Sequence, residues 1–342
     1  MPVTVIVGGQ FGSEGKGKVA YFLAREREAE IAVRVGGSNS GHTVYDENGN
    51  VYVFRHLPTA SLIPDVTCVL PSGSYIDTEV LLSEIKRFGL YEHRLIIDPN
   101  AVIITEKNRN EENYLMGSIG STGSGTGAAV KQRISRNQEL RFAKDEPLLQ
   151  KYLAPAVLFM REQLDNGKRI IIEGTQGFGL SLLHSPYYPY VTSRDTTAAG
   201  FVSETGLSPL DVDEVVLTIR AYPIRVGGNS GPLPNEIDWD TVTRESGSKK
   251  DIIEYTSVTK RVRRIARFHP EVVKQAIIVN KPDSIVLNHL DYIDIQCCFD
   301  DCLTEKATRF VKKVESLIGV TINYYGFGPA SFVTKGVHTC QN

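Results

Sequence analysis

Short apolar runs rich in β-branched residues alternate along this chain with longer stretches whose apolar positions recur at helical spacing. The runs Val3–Val7, Ile31–Val35, Val51–Leu57, Val66–Leu70, Leu95–Ile97, Val102–Ile104, Arg169–Ile172, Val215–Ile219 and Ile285–Leu287 predict strands. Helices are predicted over Lys16–Arg27, Thr78–Arg87, Pro147–Asn166, Glu271–Ala276 and Glu305–Leu317. Strands separated by helices imply an α/β fold, with a mainly parallel central sheet flanked by helices. No repeat, low-complexity tract or linker divides the sequence, so residues 1–342 are expected to form a single large domain. Gly/Ser-rich pieces at 117–127, 227–231 and 246–248 read as working loops within it.

Composition narrows the possible partners. The 342 residues are 41% hydrophobic with a formal net charge of -2, enough to bury a sizeable core and too near neutrality for bulk nucleic-acid binding. No apolar run nears the ~18 residues of a membrane span, and no charged leader precedes an apolar segment, so a cytoplasmic location without a membrane partner is expected. Five cysteines are present: Cys68, Cys297, Cys298, Cys302 and Cys340. Three of them cluster, but at a spacing that matches no zinc pattern, and reduced structural thiols are expected.

Candidate chemistry begins at Gly8-Gly9-Gln10-Phe11-Gly12-Ser13-Glu14-Gly15-Lys16-Gly17-Lys18, between the first predicted strand and the first predicted helix. Such a layout aims backbone N–H groups and a helix N-terminus at a phosphate. It is not a Walker loop, because Gln10 stands where that pattern needs Gly and Gly17 where it needs Ser or Thr. The glycines also run backwards relative to the dinucleotide fingerprint. An ordinary glycine-rich turn is the bland alternative.

Four more stretches stand out. Gly36–Thr43 puts His42 among small residues after a strand, and Ser118–Gly127 offers hydroxyls and bare amides before the basic Lys131–Arg136. Glu173-Gly174-Thr175-Gln176-Gly177 places an amide just past a buried-looking strand, and Tyr187–Thr197 follows it with turn residues and hydroxyls. Thr256–Arg264 concentrates positive charge in an otherwise neutral protein. Singly, these also fit a structural histidine, flexible loops and a solvated charged face.

Together they resemble one family, adenylosuccinate synthetase. The likeness rests on G-G-Q-F-G-S-E-G-K-G-K, N-S-G-H-T (39–43), S-T-G-S-G-T-G (121–127), E-G-T-Q-G (173–177), Y-P-Y-V-T-S (188–193), R-V-G-G (225–228), T-K-R-V-R-R (259–264) and L-N-H-L-D (287–291). These run in family order from residue 3 to about residue 330. The resemblance implies a ligase that moves the γ-phosphoryl of a nucleoside triphosphate to the 6-oxo group of a purine monophosphate. The amine of L-aspartate then displaces that phosphate. Oxygen on an aromatic purine is a poor leaving group until it is phosphorylated.

Residue by residue, the resemblance assigns Gly12, Ser13, Glu14, Gly15, Lys16, Gly17, Lys18, Gly41, His42 and Thr43 to the donor phosphates. Arg263, Asp291, Gly326 and Gly328 join the donor nucleotide. Ser13, Asn39, Ser121, Thr122, Arg136, Gln176, Thr192, Val226 and Arg261 are implied for the monophosphate, and Val258, Thr259, Arg261 and Arg263 for aspartate. Ser13, His42 and Gln176 are the implied catalytic residues, with His42 as general acid and Gln176 orienting the base. Mg²⁺ is implied as cofactor, on Ser13 and the Gly41 carbonyl. Arg136 matches an arginine delivered from a neighbouring subunit, which implies a homodimer.

Two departures redirect the substrate assignment. The family normally carries Asp where Ser13 stands, and a neutral hydroxyl is no comparable base for the purine N1 proton. The branch with S-E-G-K-G-K is the phage-type 2-aminoadenylosuccinate synthetase, which implies dGMP as substrate and a product destined for 2-aminoadenine DNA. A shorter residue 13 makes room for the 2-amino group of guanine. The Lys of the family's Lys-Leu-Asp is His289 here, which favours ATP or dATP over GTP as donor. Asn280-Lys281-Pro282-Asp283 fits the guanine signature of small GTPases, but Asp291 takes the family's position. The alternatives at this point are a ligase of inosine monophosphate (IMP) using GTP, and a silent nucleotide-binding homologue.

Overall fold

The computed structural model describes residues 3–256, 260–300 and 302–334. Its centre is a nine-stranded sheet. In chain order the strands are Val3–Gly8 (β1), Ile31–Arg34 (β2), Thr67–Leu70 (β3), Leu95–Ile97 (β4), Ile170–Glu173 (β5), Val212–Arg220 (β6), Ser284–Asn288 (β7), Tyr324–Phe327 (β8) and Ser331–Thr334 (β9). Across the sheet the order is β9-β8-β7-β6-β1-β5-β2-β3-β4, and every pairing is parallel except the edge pair β8/β9. The α/β expectation with a mainly parallel sheet is met.

Parallel strands are covered on both faces, so β1 reads as a continuous apolar run. Its alternation still sorts the layers. Val3, Val5 and Val7 belong to one core with Phe201, Val273 and Val311, while Ile6 packs on the other side with Val19, Ala20 and Leu23. Those last three belong to α1 (Lys16–Glu26), the helix that leaves the β1 loop.

The register puts the ends of the inner strands side by side. Gly8 lies opposite Thr218, Arg34 opposite Glu173, and Arg220 opposite Asn288. The glycine-rich loop, the His42 loop, the Gln176 loop and the Asp291 turn therefore all leave one edge of the sheet. Open parallel sheets bind ligands at that edge.

Several elements differ from the sequence reading. The helix predicted over 147–166 is a 3-10 turn, Pro147–Tyr152, followed by an α-helix over Ala156–Asp165. Pro155 lacks the N–H that a continuous helix needs. Residues Thr126–Ile134 form a helix (α2) where only a loop and a basic stretch were expected, and Ala198–Thr205 and Trp239–Ser246 are further unpredicted helices. Val51–Phe54 pairs with His42–Tyr45 as a hairpin, and Val102–Ile103 pairs with Tyr75–Ile76, both outside the main sheet. The expectation of reduced cysteines holds for Cys68, Cys297 and Cys298, but Cys302 is disulfide-bonded. Cys340 lies outside the described residues. Among the described residues no helix is long and apolar enough to cross a membrane.

Candidate functional site

Between β1 and α1 the backbone turns through left-handed conformations at Gly12, Ser13 and Gly15, with φ of 88, 57 and 89°. Ser13 is the one position of these where a side chain bears that cost, which residues with a short polar side chain tolerate best. Gly15 caps α1 without a side-chain hydrogen bond. The Glu14 carboxylate is fully buried beneath the loop, accepting from the Gln10 N–H at 3.1 Å, the Gly12 N–H at 2.8 Å and Lys16 Nζ at 2.6 Å. Lys18 turns the other way and donates to the carbonyls of Gly328 at 3.1 Å and Ser331 at 3.2 Å. Both lysines expected on phosphate thus start from protein partners.

His42 and Thr43 lie against the start of α1. A Cβ on Gly17 would come within 2.8 Å of His42 Cβ and 3.2 Å of the Thr43 carbonyl. The imidazole is buried between Arg34 and Glu173, the last residues of the paired strands β2 and β5. Nδ1 is in contact with both Glu173 Oε1 and Arg34 Nη1, and Arg34 Nη1 also lies 3.2 Å from Nε2 and 2.8 Å from Glu173 Oε1. Glu173 Oε2 accepts from the Thr59 N–H at 2.7 Å, and Thr59 Oγ1 lies 2.9 Å from the Gly17 carbonyl.

Burial, followed by the Arg34 charge, pushes the His42 imidazole down to about 3, and burial does the same to His56. Each histidine therefore titrates below its ordinary 6.5 when folded. Below pH 6.5 the unfolded chain takes up protons that the native state refuses, so stability falls on acidification from about 6.5 toward about 3. Denaturant unfolding at pH 7 and pH 5 is expected to show a loss of about 2 kcal/mol from each histidine. Equal stability at the two pH values would show that neither is held neutral.

Gln176 sits on the other side of the phosphate loop in a left-handed conformation, φ 61°. Its carboxamide Oε1 lies 3.8 Å from where a Gly12 Cβ would stand. The loop with Asn39 abuts α2, since a Cβ on Gly37 would meet Thr126 Oγ1 at 2.7 Å. Ser121 and Thr122 lead into that helix and are half-buried, as is Thr192. The buried Glu112 carboxylate anchors this stretch by accepting from the Gly125 and Gly127 N–H groups, the latter at 3.1 Å. Asn229 Nδ2 donates to the Ser118 carbonyl at 2.7 Å, which brings the Val226 loop alongside. Arg136 follows α2 and is exposed.

At the end of β7, Asn288 Nδ2 donates to the Glu14 carbonyl at 2.7 Å. Asp291 follows in a short turn, where burial pushes its carboxyl up against the opposing Lys18 charge, and its Oδ1 has no hydrogen-bond partner among the described residues. Gly326 packs tightly on Asn288. Asp283, in contrast, lies at the start of β7 and accepts from the Val215 N–H at 2.8 Å. That is the opposite edge of the sheet, so the Asn280–Asp283 match is a decoy. Arg261 is exposed, and Arg263 Nε donates to the Tyr255 carbonyl at 3.2 Å. Val258 and Thr259 lie outside the described residues.

The profile of the Adenylosuccinate synthetase family matches residues 5–144 and 137–299. The chain belongs to this family. It is 38% identical over 340 residues to the adenylosuccinate synthetase of Methanococcus aeolicus, covering 96% of this chain and 97% of that one. The enzyme of the same name from a Pyrococcus species is 37% identical over 339 residues, with 96% of each chain covered. Among solved structures, cyanophage S-2L succinoaminodeoxyadenylate synthetase bound to dGMP and dATP superposes with a TM-score of 0.83 at 28% identity, over 97% of this chain and 95% of that one. Fully ligated adenylosuccinate synthetase of Plasmodium falciparum gives 0.85 at 24% identity, over 98% and 100%, a likeness of fold.

As a member of the adenylosuccinate synthetase family the protein is a ligase. Sequence reading missed Arg34, which cages His42, and passed over Glu173 although it opens E-G-T-Q-G. A charged residue closing an otherwise apolar run, as in Ile31–Arg34 and Ile170–Glu173, was the available signal. Among the described residues no group of three or more His, Cys, Asp or Glu side chains is gathered for a metal. The Ser13 hydroxyl and Gly41 carbonyl are hard oxygen donors, a set that fits Mg²⁺ when phosphate oxygens and water complete its shell.

Proposed function

We propose that this enzyme joins L-aspartate to C6 of dGMP at the expense of ATP or dATP, giving 2-amino-2'-deoxy-N6-succinyladenylate. The reading is carried by Ser13, a neutral, half-buried residue in the turn of the phosphate loop opposite Gln176. The likeness to a cyanophage enzyme whose structure holds dGMP and dATP supports it. The 2-amino group of guanine sits beside N1, and a short side chain leaves space for it.

In this mechanism the loop from Gly12 to Lys18 and the stretch Gly41–Thr43 hold the donor phosphates, with Lys16 shared between them and Glu14. The Ser13 hydroxyl and the Gly41 carbonyl would hold Mg²⁺, which would supply charge neutralisation for the donor phosphates. Asn39, Ser121, Thr122, Thr192, Val226 and Arg261 hold the monophosphate, Arg136 reaches it from a second subunit, and Gln176 orients the purine. O6 attacks the γ-phosphorus, the bond to the β-phosphate oxygen breaks, and the N1 proton leaves through the Ser13 hydroxyl to water or a phosphate oxygen. His42 is neutral until the donor arrives. The phosphate charges then favour the imidazolium, which Glu173 supports, and the protonated ring stabilises the transferring group. The aspartate amine, placed by Val258, Thr259, Arg261 and Arg263, attacks C6 and expels phosphate. Asp291 Oδ1 accepts from the donor base, with Gly326 and Gly328 packed beside it.

A second reading, IMP with GTP, is favoured by the archaeal relatives named adenylosuccinate synthetase. Phosphate release measured with protein, aspartate, Mg²⁺ and ATP or GTP, offering dGMP and IMP in turn, separates the two. Turnover with dGMP and ATP is expected. Turnover with IMP alone overturns the substrate assignment, and none with either leaves a nucleotide-binding homologue.

A further inference from the structure

Arg220 is a cation with no solvent exposure, at the last position of β6. Its backbone is held twice by Gln10 of the phosphate loop: its N–H donates to Gln10 Oε1 at 2.9 Å, and its carbonyl accepts from Gln10 Nε2 at 3.1 Å. Its guanidinium faces two ways. Nη1 donates to the Ser13 carbonyl at 2.9 Å, and Nη2 pairs with Glu254 Oε1. The same Glu254 oxygen accepts from the Tyr292 hydroxyl at 2.8 Å, and its other oxygen lies 3.7 Å from Arg263 Nε. The Arg220 guanidinium also stands 5.6 Å above the Tyr292 ring.

One carboxylate thus touches three parts of the site. Through Arg220 it reaches the residue-13 turn. Through Tyr292 it reaches the turn that carries Asp291. It also lies 3.7 Å from Arg263 Nε, and the backbone of the same stretch roots the segment that carries Arg261 and Arg263, because the Arg263 N–H donates to the Glu254 carbonyl at 2.9 Å, Tyr255 bridges Val262, and the Thr256 N–H donates to the Arg261 carbonyl at 2.9 Å. Burial would raise the Glu254 carboxyl, but the Arg220 charge holds it down at about 2, so it is an anion in all ordinary conditions.

We propose that Glu254 is a positioning residue that fastens the arginine segment to the phosphate loop and the donor-base turn, so that ligands on the aspartate side and the donor side bind cooperatively through it. The inference rests on the assignment of those two sides above. An interaction carried by one ion pair and one hydroxyl has a physical basis for linkage, because ordering the segment for one ligand sets the loop for the other, and linkage is reciprocal. Neither Glu254 nor Arg220 needs to touch substrate.

Calorimetric titration tests this without turnover. A non-hydrolysable ATP analogue with Mg²⁺ is titrated into protein saturated with dGMP, with and without succinate, which presents the two carboxylates of aspartate but no amine. In the wild type succinate is expected to tighten donor binding by roughly 5- to 20-fold. In Glu254→Gln that factor is expected to fall below about 2, with donor affinity in the absence of succinate within about 3-fold of wild type. Tyr292→Phe removes one hydroxyl and is expected to cut the factor at least about 2-fold, and it decides the matter where Glu254→Gln does not fold by circular dichroism. A folded Glu254→Gln protein with undiminished cooperativity overturns the inference, as does undiminished cooperativity in Tyr292→Phe. Wild-type protein that binds donor and succinate independently also overturns it while leaving the ligase reading intact. Wild-type protein that binds no donor overturns both.

Discussion

His42→Asn enzyme is expected to turn over at least ~10³-fold more slowly than wild type with little change in KM. Asn keeps a donor near the position of Nδ1 and so retains a partner for Glu173, which limits the change to the cage itself. What it loses is the ability to carry a positive charge beside the transferring phosphoryl group. General acids contribute on the order of 10²–10⁴ and single oxyanion donors on the order of 10²–10³, and His42 is asked to supply both. Because Arg34 and Glu173 hold the ring in place and the cost of protonating it offsets much of its attraction to the bound phosphates, its contribution falls mainly on the transition state, where charge develops. Steady-state phosphate release with an unfolding midpoint as control reads the effect. A decrease of less than about 10-fold would remove His42 from the chemistry.

Ser13→Asp is expected to exchange one substrate for the other. The added carboxylate crowds the 2-amino group of guanine, and overpacking costs about 1–3 kcal/mol, up to ~10² in kcat/KM for dGMP. Toward IMP, which has no group there, the same carboxylate supplies a base for N1, a gain on the order of 10². The ratio of kcat/KM for the two substrates should therefore shift by roughly 10³–10⁴. Arg220 holds the Ser13 carbonyl and not its side chain, so the turn itself has no reason to move. Full activity on dGMP in Ser13→Asp would remove the steric basis of the assignment.

The layers of the fold were legible because β-branched runs such as Val3–Val7 and Ile31–Val35 occur only where both faces are covered. Their strands appear within a residue or two of the expected bounds. Pro155 was also visible, yet the apolar pattern on both sides of it masked the break it makes. The glycine-rich loops were readable as loops, and Asn39, His42, Gln176 and Asp291 do hang from one edge of the sheet. What supports them was not readable. Arg34 meets Glu173 across 139 residues through the register of β2 and β5, and Arg220 meets Glu254 across 34 because the irregular segment around Glu254 folds back onto the end of β6. Lys16 and Lys18 were assigned to the donor phosphates, and the sequence did not show that Glu14 and the carbonyls of Gly328 and Ser331 hold them.

The phosphate loop, the His42 loop, the Gln176 loop and the Asp291 turn spring from four different strands of one hydrogen-bonded sheet. A change in the Gln176 loop or the Asp291 turn therefore leaves the other strand ends in place, whereas residue 13 lies in the phosphate loop itself, tied through Arg220 to the end of β6. Such a frame lets nucleobase preference change in single evolutionary steps, each passing through a folded protein that still carries out phosphoryl transfer.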